Sequence, residues 1–308
     1  GFGIIGFITL LNASLAPVWH TAFSGSGASP PPLFLNAAVS IVALMGLLAG
    51  GSFLDKNTET MSSLADSSGD EQKWGMKSFR GGVELGFWKF LGTTCHLYGL
   101  SLTTANHGAF LIQLTTLIVP VIQGIKGEKI PKQIQLAVVL ALGGIFAFTQ
   151  DSSGTSFQDA QNVPLGDALC VACAFFYSFY DIQTFYWGKE IPRTELVTIK
   201  IGMQAVFSCL LCAVLGYDDV QNFLTTTPDY AMLIPVILWS GLIVNALATF
   251  LQVGGMQAVG PTRAQTIFAS QPLWAALLNL AFLGETVGPQ GIVGGGAFLG
   301  ALYLAATS

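Results

Sequence analysis

The chemistry of this sequence rests on the few ionisable residues set inside its apolar runs. Glu84 and Lys89 share one run, Asp181 lies in a second, Lys200 in a third, and Arg263 opens a fourth. An ionised group inside a membrane segment costs at least about 2.5–3.5 kcal/mol, so such a residue marks a functional site by default. Lys89 can meet a substrate anion or snorkel its ammonium to the surface. Arg263 stands at a helix start, where free N–H groups also favour an anion, or anchors that helix at the surface. Asp181 can carry a coupling proton or pair with Lys200, which matches it in depth, and its helix face also carries Tyr177 and Tyr180. Glu84, near a predicted helix end, reads as interfacial.

Uncharged polar side chains add to this set. Asn12, Trp19 and Gln113 fall inside apolar runs of the first half, and Asn245, Gln252 and Gln271 inside those of the second. Buried polar groups need partners, so each is either interhelical glue or a substrate contact. Substrate-binding candidates are therefore Asn12, Trp19, Lys89, Gln113, Tyr180, Asp181, Lys200, Asn245, Arg263 and Gln271.

Other chemistries find less support. His20, His96 and His107 each lie close to a predicted helix end and read as interfacial; proton shuttling or a pigment magnesium is the alternative. Cys170 and Cys173 ("CVAC") and Cys209 and Cys212 ("CLLC") sit within helices. Four thiolates can hold zinc or an iron–sulfur cluster, but no charge stabilises thiolates there, and packing is the expected role. No cofactor or metal is expected. Nucleophile-elbow, Walker, His-Glu-x-x-His and dinucleotide fingerprints do not occur, so an enzyme is not expected. The net charge of −5 argues against a nucleic-acid partner, which would need basic patches.

The segments that must position these residues are set by lipid. Only 9% of residues are charged and 52% are apolar, against about 25% charged in a soluble domain. Ten stretches reach the roughly 17–20 apolar residues that a spanning helix needs: 2–23, 32–53, 81–100, 105–125, 133–150, 165–187, 194–216, 232–256, 263–284 and 289–306. Between them, 54–80 is the one long polar loop and 151–164 lies at the midpoint. Continuous rather than alternating apolar runs argue against a β-barrel. Pro17, Pro120, Pro235 and Pro272 would kink their helices.

Charge tests the count, because Lys and Arg gather on one membrane side. With ten spans, the loops 54–80, 126–132, 188–193 and 257–263 share one side and hold 10 basic residues, whereas the opposite loops hold none. Both termini then lie on the basic side.

The pattern Gly-Glu-x-[Ile/Val]-x-x-Gln occurs twice, at Gly127-Glu128 and Gly284-Glu285, 157 residues apart. Five helices per half is odd, so a duplicated unit inserts upside down the second time, a common transporter design. The units are 1–150 and 165–308, with 151–164 as linker. Each Gly-Glu then forms the hairpin between the fourth and fifth helices of its half, Gly permitting the turn and Glu favoured at the next helix start.

These phrases resemble the EamA-like drug/metabolite transporter superfamily. "YGLSLTTANHGAFLIQLTTLIVPVIQGIKGEKIPKQIQLAVVLALGGIFAF" (98–148) and "QVGGMQAVGPTRAQTIFASQPLWAALLNLAFLGETVGPQGIVGGGAFLGALYL" (252–304) are similar to its conserved block, and "LGDALCVACAFFYSFYD" (165–181) to its sixth helix. The resemblance implies an all-α polytopic membrane protein of ten transmembrane helices in two inverted repeats. It also implies a central cavity lined by the first, third, fourth, sixth, eighth and ninth helices, serving alternating-access transport of a small metabolite. The basic residues point to an anionic or zwitterionic solute. The alternative is a non-transporting membrane subunit or scaffold, for example in a photosynthetic complex. Expected partners are membrane lipid and a small solute, with a homodimer or larger membrane complex open. A start at Gly1 rather than Met, with the likeness to algal and plant EamA-like proteins, suggests a plastid membrane, envelope or thylakoid.

Overall fold

In a computed structural model, the described residues are 2–24, 28–55, 71–125, 132–149, 163–226, 228–259, 267–268, 270–284 and 288–306. All secondary structure among them is helical. Each of the ten predicted stretches carries helix. Six helices are long and apolar enough to cross a membrane: Gly3–Phe23, Pro32–Gly50, Ala105–Ile122, Val163–Glu190, Arg193–Leu215 and Tyr230–Met256. Large apolar side chains such as Leu48, Val139 and Ile292 are exposed on the outside, as lipid-facing surface requires.

The helices that frame the interior are not regular, and the sequence explains why. The first stretch breaks into α1 (Phe2–Ala13) and α2 (Leu15–Ser24). Pro17 has no N–H for the Ala13 carbonyl, and its ring crowds that carbonyl. The kink at Ser14 is tied by Trp239 Nε1 donating to Ser14 Oγ at 2.9 Å. After α3 (Pro32–Asp55) and α4 (Glu71–Leu102), the fourth stretch runs as α5 (Ala105–Leu111), a 3₁₀ turn (Ile112–Leu114) and α6 (Thr115–Ile125). Thr115 and Thr116 donate to the Ile112 and Gln113 carbonyls at 2.7 and 2.8 Å. Pro120 lies within α6. Next come α7 (Lys132–Thr149), α8 (Val163–Glu190), α9 (Arg193–Leu215) and α10 (Tyr217–Thr225). The eighth stretch is α11 (Tyr230–Leu238), a π-helical segment (Trp239–Ala248) and α12 (Thr249–Val259), followed by α13 (Gln271–Leu283) and α14 (Pro289–Ala306).

Two boundaries differ from expectation. Helix α4 starts at Glu71, ten residues inside the polar loop expected over 54–80. The expected loop after the seventh stretch contains α10, whose Asp218 and Asp219 open it and whose Phe223 is buried beside Trp19 and Leu35. Within 263–284, helix is described at 267–268 and over Gln271–Leu283.

Glycines allow the closest crossings. A Cβ at Gly86 would come within 2.8 Å of the Lys200 carbonyl oxygen, so α4 lies directly on the α9 backbone. Gly99 and Gly166 bring α4 onto α8 in the same way, a Cβ at Gly166 falling 2.9 Å from the Gly99 carbonyl oxygen. Small residues at helix crossings are the usual device in lipid, where van der Waals packing replaces the hydrophobic effect. Helix α7 packs on α14, α4 on α8 and α9, and α9 on α3. Gly284 ends α13 with φ of +65°, the left-handed conformation that closes a helix.

Candidate functional site

The irregular helices deliver polar side chains to one central cavity. Backbone that departs from a regular helix at membrane depth is tolerated where it is buried or lines a cavity, and π-segments recur at functional sites. Asn12 precedes the Ser14 break, Gln113 lies in the 3₁₀ turn and Asn245 in the π-segment. All three line the cavity, Asn12 and Gln113 in a larger compartment and Asn245, with Asn12 again, in an adjoining smaller one. Lys89, Tyr177 and Gln252 also line both compartments, so the two share a wall.

Lys89 does not snorkel. Its Nζ lies 4.1 Å from the centroid of the Tyr177 ring and 5.2 Å from that of Tyr180. Both ring faces come from α8, one helical turn apart, and both attract a cation through the ring quadrupole. Asp181, also on α8, lines the same compartment and accepts a hydrogen bond from Gln252 Nε2 at 3.3 Å. One wall therefore presents an ammonium and a carboxylate.

Lys200 is 1% exposed, and its Nζ donates to Asn245 Oδ1 at 3.3 Å, with the Tyr180 centroid at 5.5 Å. The pairing with Asp181 expected from depth is not made; the amide of Asn245 takes its place. Trp19 lines the smaller compartment and donates from Nε1 to Ser240 Oγ at 2.8 Å. Gln271 lines the larger one. Arg263, Gly127, Glu128 and Glu285 lie outside the described residues.

Glu84, read as interfacial, ties α4 to α8. It accepts from Gln183 Nε2 and, at 3.0 Å, from Trp187 Nε1. Two histidines are buried within the protein. His96 is 4% exposed, lines the larger compartment, and meets Trp19 edge-on at 5.1 Å between centroids. Neither of its ring nitrogens has a partner among the described residues. His107 is buried against Asp167, its Nδ1 3.2 Å from both carboxylate oxygens, and Thr103 Oγ1 donates to Asp167 Oδ1 at 2.7 Å. Sequence reasoning missed His96 and Gln204 as cavity residues. The available signal was spacing: Lys89, Thr93 and His96 recur at helical intervals on one face of α4, as Lys200 and Gln204 do on α9.

Cys170 and Cys173 are fully buried packing residues, Cys170 Sγ lying against Gly99. Among the described residues no group of three or more His, Cys, Asp or Glu side chains is arranged to hold a metal ion.

Residues 164–307 match the model of the EamA-like transporter family. The chain is similar to two Bacillus subtilis (strain 168) proteins, uncharacterized transporter YwfM and uncharacterized transporter YetK. Identity is 27% with YwfM, over 52% of this chain and 49% of that protein. It is 23% with YetK, over 70% of this chain and 64% of that protein. The chain thus spans about half of the first relative and under two thirds of the second. A solved crystal structure shares the fold, with a TM-score of 0.61 at 18% identity over 98% of this chain and 95% of that one. Apolar helices and the family match together make this an integral multi-pass membrane protein.

Proposed function

We propose, from the EamA-like domain at residues 164–307, that this chain is a secondary transporter carrying a small zwitterionic or anionic metabolite by alternating access. The observation that carries the reading is the facing of Lys89 and Asp181 into one cavity. An ammonium beside a carboxylate suits a solute with both charges: Lys89 takes its anionic group and Asp181 its cationic group. His96, Gln113 and Gln271 supply neutral hydrogen-bonding atoms around them.

Two inverted units, 1–150 and 165–308, are part of the same reading. The packing of the ten stretches supports them. The second stretch packs on the seventh, the fourth on the ninth and the fifth on the tenth, each on its own counterpart. The third packs on the sixth and seventh, and correspondingly the eighth packs on the first and second. A twofold duplication predicts that exchange, and rocking one unit against the other would open the cavity to each side in turn. Placing both termini on the basic side is supported by the one-sided distribution of Lys and Arg. The plastid membrane belongs to this proposal and stands on the sequence resemblance alone.

Solute counterflow by the purified chain in liposomes tests the function. Exchange of a labelled zwitterion or anion against the same unlabelled solute supports it. Absence of exchange across amino acids, organic acids and phosphate esters, together with a stoichiometric co-purifying complex, favours a membrane scaffold instead.

A further inference from the structure

A second polar feature leads away from the solute cavity. Along α3, Asn36, Ser40, Ala43 and Leu47 recur at spacings of four, three and four. Along the antiparallel α9, Val197, Ile201, Gln204 and Ser208 do the same. Ala43, Leu47, Val197 and Ile201 belong to one buried apolar cluster. Asn36 and Ser40 continue the α3 row beyond that cluster, and Gln204 and Ser208 continue the α9 row. The seam between the helices is therefore apolar at one end and polar at the other.

The polar end is closed to the surroundings. Asn36 and Ser40 are 0% exposed and Gln204 and Ser208 are 1% exposed. Asn36 Oδ1, Ser40 Oγ, Gln204 Oε1 and Ser208 Oγ have no partner among the described residues. Asn36 Nδ2 donates to Thr94 Oγ1 on α4 at 2.9 Å. At the inner end, Asn245 Nδ2 is also without a partner, while Asn245 Oδ1 holds Lys200. Gln204 and Asn245 line the cavity compartment that contains Lys89, so the seam opens there.

A buried polar atom left unpaired destabilises a fold, and five along one seam call for an occupant. Water supplies donors and acceptors together, making about three hydrogen bonds each. A sodium ion would satisfy the oxygens but not the Asn245 N–H. We propose that this seam is a hydrated path carrying protons between the Pro32 end of α3 and the solute cavity, with Lys200 as the group that takes up and releases the proton. In release, one Nζ–H bond breaks, its electron pair stays on nitrogen and the proton passes to water. The hydroxyls of Ser40 and Ser208 relay it by giving one proton and accepting another, and the reverse sequence restores the ammonium. Lys200 leaves no bare carboxylate behind when it deprotonates, because its partner is a neutral amide. The other groups facing it are the Tyr180 ring and, through space, the charge of Lys89, itself acted on by Asp181.

The proton role rests on the transport reading; the hydration does not. Radiolytic hydroxyl footprinting of the wild-type chain in lipid reads the water directly. Ile201, beside the seam, becomes oxidised, while Ile8, equally buried in the apolar cluster of α1, stays protected. Equal protection of both overturns the proposal. In liposomes with a trapped pH dye, Asn36→Leu and Ser208→Ala lower solute-driven proton movement about tenfold while solute counterflow persists, and Ser208→Thr restores it. Melting curves show whether each variant is folded. Unchanged proton movement in folded variants, or movement driven by sodium instead, overturns the path. A labelled seam in a chain that shows no counterflow identifies the transport reading as the failure and removes the proton role with it.

Discussion

The Lys89 ammonium lies over the face of Tyr177, 4.1 Å from the ring centroid, in a cavity that Asp181 also lines. The aromatic faces stabilise the cation without neutralising it, so its charge stays available to a solute. Lys89→Met is expected to raise KM for an anionic or zwitterionic solute about 10- to 30-fold, from the loss of about 2 kcal/mol of desolvated cation attraction. Lys89→Arg keeps most of the affinity. Counterflow kinetics at several solute concentrations check this. An unchanged KM with a lowered melting temperature would make Lys89 a structural tie between α4 and α8.

The α4–α9 crossing predicts a stability effect. Gly86→Ala puts a methyl group 2.8 Å from the Lys200 carbonyl oxygen and 3.1 Å from the Gln204 nitrogen, both backbone atoms that cannot rotate away. Separating the helices is expected to cost about 1–3 kcal/mol. Gly296→Ala meets nothing within 4 Å and is the control, neutral or slightly stabilising. Thermal melts in detergent read the difference.

Asp167 is the shared acceptor for Thr103 and His107, joining the end of α4 and the start of α5 to α8. Asp167→Ala removes that acceptor from both groups and is expected to cost about 1–3 kcal/mol. Thr103→Val removes one hydrogen bond and leaves the histidine contact, with a cost of about 1 kcal/mol. The same melts rank the two variants.

Much of the fold was legible because apolar length is a strong signal. All ten predicted stretches carry helix, and Gly284 takes the left-handed conformation expected of its turn. Polar residues inside spans were legible as a set: Asn12, Lys89, Gln113, Tyr180, Asp181 and Gln271 line one compartment. Pairing was not. Depth alone matched Lys200 to Asp181, but the rotation of each helix about its axis decides contacts, and it turns Lys200 toward Asn245. His96 was hidden for a related reason. Closeness to a predicted helix end suggested an interfacial position, whereas α4 continues to Leu102 and packs His96 against Trp19. The π-segment that presents Asn245 leaves no mark in hydropathy.

Inverted units predict opposite sidedness for their hairpins. In chains whose five native cysteines are replaced by alanine, Lys129→Cys and Glu285→Cys are expected to react with an impermeant maleimide from opposite faces of the bilayer. Labelling of both from the same face would contradict the duplication.

The most direct measurement concerns a single position in the cavity. Thr116, which lines the larger compartment, is replaced by cysteine in the same alanine background, and the chain is reconstituted in liposomes with one orientation. The account predicts that an impermeant thiol reagent reaches Thr116→Cys from either side of the membrane, with transported solute slowing both reactions. Labelling from one side only, with and without solute, would contradict it.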